Sequence, residues 1–192
     1  MMLRVASSML TVSWLFATAA TALALDIGDT APNFTASSVD GTEISLASAN
    51  KDSALVVVCF TCNECPIAVA YEDRFIEFNK QFEGKDVAFI ALNCNNQSEG
   101  LEAMKERAEE KGFNFDYAFD ATGDAAKAYG AHVTPELFVV RNGKVAYHGA
   151  FDNDLNDPEK HYLADAVSEL LDGKSPSVPE TKPFGCGIRV KP

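Results

Sequence analysis

Residues 54–60 read Ala-Leu-Val-Val-Val-Cys-Phe, a near-continuous run of β-branched and apolar side chains without alternation. Alternation marks a strand with one face in water; its absence over seven residues marks a strand buried on both faces. A second such strand is expected over residues 87–92.

The segments between and after these runs supply the covering layers. Behind Pro66, apolar residues Ala68, Tyr71, Phe75, Ile76, Phe78 and Phe82 are interleaved with charges, which predicts an amphipathic helix. Residues 99–111 form a charged helix, 115–119 a short extended piece and 122–129 a helix ended by Gly130. Asn142-Gly143 between residues 137–140 and 145–147 predicts a tight β-hairpin, and Asp40-Gly41 predicts an earlier one within residues 34–46. Residues 162–171 form the last helix, stopped by Gly173. The tail, residues 174–192, has Pro176, Pro179 and Pro183 and no helix or strand periodicity. Phe184 would be stranded in such a tail, so the tail is expected to dock with Phe184 as its anchor.

Residues 1–24 stand apart. Arg4 precedes an apolar stretch over residues 9–20, and Ala22-Leu23-Ala24 closes it as a small-x-small cleavage pattern. The stretch is short and broken by Thr11, Ser13 and Thr18, a poor membrane span. A signal peptide over residues 1–24 is therefore expected, giving an exported protein, periplasmic or extracellular. An uncleaved anchor is the competing reading. One α/β domain over residues 25–173 and a tail over 174–192 remain, long enough for a real core. With 47% hydrophobic residues the chain is not disordered, and its net charge of −12 repels phosphate backbones and anionic lipid heads. Nucleic-acid and membrane-surface partners are set aside on that ground.

There are five cysteines, Cys59, Cys62, Cys65, Cys94 and Cys186, too few and too clustered for a disulfide scaffold. Cys62-Asn63-Glu64-Cys65-Pro66 lies where the first buried strand ends and the long helix begins. The first N–H groups of a helix have no partner within it and favour a negative charge, so a sulfur there can be held as thiolate. Cys62, the outer residue, is expected to attack a partner disulfide, and Cys65 to attack the resulting mixed disulfide. Pro66 suits the first helical turn, where no N–H is needed. Half of a zinc site is the bland reading, but no second Cys or His pair stands at zinc spacing.

Phe60-Thr61-Cys62-Asn63-Glu64-Cys65-Pro66, Ala70-Tyr71-Glu72-Asp73-Arg74, Lys111-Gly112-Phe113-Asn114-Phe115, Thr134-Pro135 and Lys182-Pro183-Phe184-Gly185-Cys186 carry a resemblance. The chain resembles the redoxin branch of the thioredoxin superfamily, the alkyl hydroperoxide reductase/thiol-specific antioxidant group, and most of all its small exported members with a CNxCP site. The resemblance implies an α/β thioredoxin-like fold, a mixed central sheet flanked by helices with an N-terminal hairpin and a C-terminal tail. It also implies a cis-proline at Pro135 facing the cysteine pair, with Thr134 and Pro135 contacting substrate. Departures limit what carries over. Thioredoxin proper has an aromatic residue where Thr61 stands and a buried acid where Val56 stands. The peroxidase pattern P-x-x-x-T/S-x-x-C fits neither Cys62 nor Cys65, so peroxidase activity does not follow from the resemblance.

The other candidates divide. Cys59 reads as a core thiol. Cys94 either pairs or fills a loop. Cys186 is a possible third redox thiol if the tail folds back so that it can exchange with Cys62. Glu64, between the cysteines, is expected to oppose a thiolate on Cys62 and so favour reductase over oxidase chemistry. His132, three residues before Pro135, opens a copper-binding alternative with Cys62 and Cys65. The acidic stretch at residues 152–157 lacks the Gly and Glu that a calcium loop needs and reads as a solvated loop. The leading expectation is an exported thiol–disulfide oxidoreductase without cofactor, acting on protein or small-molecule thiols and disulfides. A thiol peroxidase, or a copper-binding chaperone-like module, is the alternative.

Overall fold

In the computed structural model, which describes residues 25–190, the chain opens with β1 (Thr35–Ser38), β2 (Glu43–Ser45) and α1 (Leu46–Asp52). The signal peptide expected over residues 1–24 lies outside the described residues. The middle of the chain gives β3 (Leu55–Thr61), α2 (Pro66–Gln81), β4 (Val87–Asn93), α3 (Leu101–Lys111), β5 (Asp116–Phe119) and α4 (Asp124–Tyr129). It ends with β6 (Val133–Thr134), β7 (Glu136–Arg141), β8 (Lys144–Gly149), α5 (Tyr162–Leu171) and β9 (Cys186–Gly187). Seven strands form one sheet in the order β2-β1-β5-β4-β3-β7-β8, and β6 and β9 pair separately. β3 and β4 are parallel, as are β4 and β5, while β7 and β8 close the sheet antiparallel. The fold is the expected α/β arrangement with a mixed sheet.

All seven residues of β3 are buried. Leu55, Val57 and Cys59 face Tyr71, Phe75 and Phe78 of α2, Met104 of α3 and Leu163 and Val167 of α5. Val56, Val58 and Phe60 face the other way, onto Leu46 of α1 and Ala125, Ala126 and Tyr129 of α4. Each such side chain contributes about 1.5–3 kcal/mol by leaving water, so the strand is held from both sides. The hairpin turn is as read: Asn142 (φ 54°) and Gly143 (φ 73°) are both left-handed, the geometry that matches strand twist.

Three local readings change. Leu46, expected as the end of the hairpin, instead starts a helix over residues 46–52, which Ser45 caps by accepting the Ser48 N–H at 3.1 Å. The charged helix starts at Leu101, which leaves Glu99 outside it. The loop at residues 152–157 is not simply solvated. Asp152 is fully buried, accepts the Tyr71 hydroxyl, and pairs with Arg74 at 2.6 Å. Arg74 also donates to the carbonyls of Asp154 and Leu155, so one guanidinium ties the loop to α2.

The tail docks as expected, but Phe184 is not its main anchor. Its ring lies 6.2 Å from Tyr71 and stays 36% exposed. Main-chain bonds do more: the His148 N–H donates to Pro179 O and the Thr181 N–H to His148 O, both at 3.0 Å. The Thr181 hydroxyl accepts the Ala150 N–H at 2.9 Å.

Asp152→Ala should destabilise the protein by about 3 kcal/mol or more, because it leaves Arg74 and the Tyr71 hydroxyl without their buried partner. Urea unfolding with an unchanged slope measures this; a loss below about 1 kcal/mol would mean that the pair is no more than a surface contact.

Candidate active site

β3 delivers Cys62 to the edge of the core, and α2 begins three residues later. Cys65 is the N-cap of α2, and its sulfur accepts the Ala68 N–H at 3.4 Å. Pro66 occupies the first turn, as expected. The peptide bond between Thr134 and Pro135 is cis, as the resemblance implied. Thr134 then meets both sulfurs: Cys62 Sγ lies 3.3 Å from its hydroxyl, and Cys65 Sγ lies 3.2 Å from its carbonyl oxygen. All four expected residues, Cys62, Cys65, Thr134 and Pro135, therefore gather at one place.

The tail adds a third thiol there. β9 pairs antiparallel with β6, setting Cys186 opposite Thr134 and Gly187 opposite Val133. Cys186 hydrogen-bonds Cys65 and packs with Cys62, Cys65 and Ala68. Its neighbour in sequence, Gly185, fits only because it has no side chain, since a Cβ would stand 2.0 Å from the Thr134 carbonyl oxygen. The docked tail leaves Cys62 2% and Cys65 3% exposed, whereas Cys186 is half-buried. Cys186 thus lies against Cys65, whereas the sequence reading had set it toward Cys62. A cavity of about 110 Å³, lined in part by Cys65, Asn95, Cys186 and Arg189, opens beside this pair.

Electrostatics also reverse one expectation. Burial pushes the Cys62 thiol up to about 11, and the Thr134 hydroxyl and Cys65 N–H offset that only in part. Cys65 is buried too, but hydrogen bonds from the Cys186 thiol, the Ala68 N–H and the Thr134 hydroxyl outweigh the burial and hold it below the ordinary thiol value. The same bond pushes Cys186 up. The Cys186 thiol first, and the start of α2 after it, thus favour a thiolate on Cys65 rather than on the outer residue Cys62.

The carboxylate beside Cys62 is not Glu64. Glu64 turns to accept the Ser98 hydroxyl at 2.7 Å. Glu99 takes the inner place: it is buried and accepts the N–H groups of Asn63 at 2.8 Å and Glu64 at 3.2 Å. The Asn93 amide donates to it at 2.7 Å, and the Tyr117 hydroxyl donates to Asn63 at 2.7 Å. Glu99 thereby uses the N–H donors of the loop and adds a negative charge that helps to raise Cys62. In sequence it looked like the first residue of a surface helix.

Glu136 and His148 were also missed. Glu136 Oε1 lies 2.7 Å from His148 Nε2 in a buried pair, and Oε2 accepts the N–H groups of His132 and Val133. Burial alone would raise Glu136, but these bonds hold its carboxyl below the usual range and fix the segment that carries Thr134. Only the β7–β8 register brings the two together. Cys59 and Cys94 are wholly buried in opposite core layers, and burial pushes both thiols up. His132 is exposed, and among the described residues no group of three or more His, Cys, Asp or Glu is arranged to hold a metal.

Glu99→Gln should lower the Cys62 pKa from about 11, since it removes the inner negative charge. Glu64→Gln should leave that titration where it is. Ultraviolet absorbance of the thiolate against pH follows both; a larger shift with Glu64→Gln would overturn the assignment.

The AhpC/TSA family pattern matches residues 27–148. No curated protein sequence matches the chain. Among solved structures, a hypothetical protein from Sinorhizobium meliloti superposes with a TM-score of 0.81 at 29% identity, covering 88% of this chain and 97% of its own. An uncharacterized conserved protein from Geobacillus kaustophilus also gives 0.81, at 30% identity over 87% and 93%. A Bacteroides thetaiotaomicron protein carrying the provisional name protein disulfide isomerase gives 0.61, at 26% identity over 77% and 91%. On the family match and these structural neighbours, the chain belongs to the AhpC/TSA family of redoxins and is a thiol-based oxidoreductase.

Proposed function

We propose that this redoxin is an exported thiol–disulfide oxidoreductase that works in the reducing direction, with Cys62 and Cys65 cycling between dithiol and disulfide. The observation that carries the reading is the convergence of both sulfurs on Thr134 at the start of α2. Thiol–disulfide exchange needs one sulfur that ionises and a second within reach to resolve the mixed disulfide. Cys65 supplies the first property and Cys62, packed beside it, the second.

Glu99 supports that direction at Cys62. Strong oxidants owe their potential to a stabilised reduced form. Here a buried carboxylate takes the loop N–H groups and disfavours a thiolate on Cys62, which works against such stabilisation. Substrates are disulfides of proteins or small molecules, a class consistent with the name of the Bacteroides neighbour. Export rests on residues 1–24 and is tested by sequencing the mature N-terminus, expected at Leu25.

A second reading, thiol peroxidase, is favoured by the cavity beside Cys65, whose volume of about 110 Å³ suits a small hydroperoxide. One pair of assays separates the two. Disulfide reduction with an excess of dithiol should proceed with the native protein and fall by several orders of magnitude in Cys62→Ser and Cys65→Ser. Peroxide consumption without disulfide reduction would replace the first reading by the second. Undiminished disulfide reduction in both variants would sink the assignment of the pair.

A further inference from the structure

The pairing of β6 with β9 stands apart from the seven-stranded sheet, yet it is held along its length. Besides the Thr134–Cys186 register, the Ile188 N–H donates to His132 O at 3.0 Å and the Arg189 N–H to Asn95 Oδ1 at 2.9 Å. The Gln97 amide donates to Val190 O at 3.0 Å. On the other side of Cys186, Gly185 lies against the Thr134 carbonyl, and Thr181 is tied to Tyr147 and Ala150. A thiol is thus latched from both directions against Cys65, at a place where only glycine lets the backbone come close.

We infer that Cys186 is a third redox residue that receives the disulfide from the Cys62–Cys65 pair. The inference rests on the reading of that pair as the redox couple. In the step, Cys186 loses its proton to solvent at the cavity mouth and its thiolate attacks Cys65 Sγ. The Cys65–Cys186 bond forms, the Cys62–Cys65 bond breaks, and Cys62 leaves as a thiolate that takes up a proton. The disulfide moves and no electrons leave the protein, so the step needs no oxidant beyond the disulfide substrate already consumed. Thr134 Oγ1, 3.3 Å from Cys62 Sγ, donates to the leaving thiolate. Once protonated, Cys62 is a poor nucleophile for the reverse attack, because the thiolate is the reactive form.

The relay carries the disulfide from the least exposed sulfurs to the more exposed one. An external dithiol that regenerates the protein must reach a disulfide sulfur in line. Cys62 and Cys65 are almost wholly covered, whereas Cys186 is half-buried on the surface segment. Moving the disulfide to Cys65–Cys186 presents its outer sulfur to the donor without dismantling the core.

The test maps disulfides in native, Cys62→Ser and Gly185→Ala proteins after treatment with one equivalent of oxidised glutathione, by alkylation and fragmentation of the linked peptides. A monomeric Cys65–Cys186 link is expected in part of the native protein and as the main product in Cys62→Ser. Gly185→Ala, which pushes the tail off Thr134, should form that link at least about tenfold more slowly through lost effective concentration. It should still form Cys62–Cys65. If Cys62–Cys65 forms but the tail peptide is never joined to Cys65 in native or Cys62→Ser protein, the relay is wrong. Failure to form Cys62–Cys65 in both native and Gly185→Ala protein would instead strike the underlying reading of the pair. Near-equal link formation in native and Gly185→Ala protein would also overturn the relay, since the docked geometry would then be irrelevant.

Discussion

Burial of β3 on both faces is the constraint from which the site follows. Leu55, Val57 and Cys59 are committed to one core layer and Val56, Val58 and Phe60 to the other, so the strand can neither slip nor rotate. A one-residue slip would exchange the two sets of side chains between layers and lose both packings. Cys62 is therefore delivered to a fixed point at the end of the sheet, and the start of α2 turns Cys65 back beside it. The pair needs no flexible loop to find its geometry. It inherits that geometry from a strand buried along its whole length.

Thr134 is the counterpart from the other half of the chain. Its hydroxyl meets Cys62, its carbonyl meets Cys65, and its backbone pairs with Cys186. Glu136, locked to His148 and to the N–H groups of His132 and Val133, holds this segment in place. Opposite it, Glu99 occupies the N–H donors between the cysteines. Two buried carboxylates thus frame the sulfurs, one fixing the strand that touches them and the other setting the charge that Cys62 feels.

The tail changes what kind of site this is. An open dithiol at a helix start would expose its reactive sulfur; here main-chain pairing along β6 covers both and brings a third thiol into contact. Backbone hydrogen bonds, not the apolar side chain of Phe184, do most of the holding, which lets a weakly apolar segment dock at a defined register.

Periodicity and turn chemistry were enough to read most of the architecture from the chain. The apolar run at residues 54–60, the helical spacing behind Pro66 and the Asn142-Gly143 turn each encode a local preference that packing then reinforces. The cysteine pair was legible as a motif because its spacing is local, whereas Thr134-Pro135 stood out only through the family resemblance. What the sequence alone did not determine depends on contacts between distant segments. Glu99 rather than Glu64 faces the thiols because the chain after β4 turns inward before α3, a path that no short pattern encodes. Cys186 lies on Cys65 because β6 leaves an open edge with room only for Gly185, and Asp152 is buried because α2 brings Tyr71 and Arg74 to it. Hydrophobic burial decides where the strands go, and it acts on patterns of a few residues. Which polar groups then meet is decided by tertiary closure, since each buried polar atom must find its partner wherever the fold has placed one.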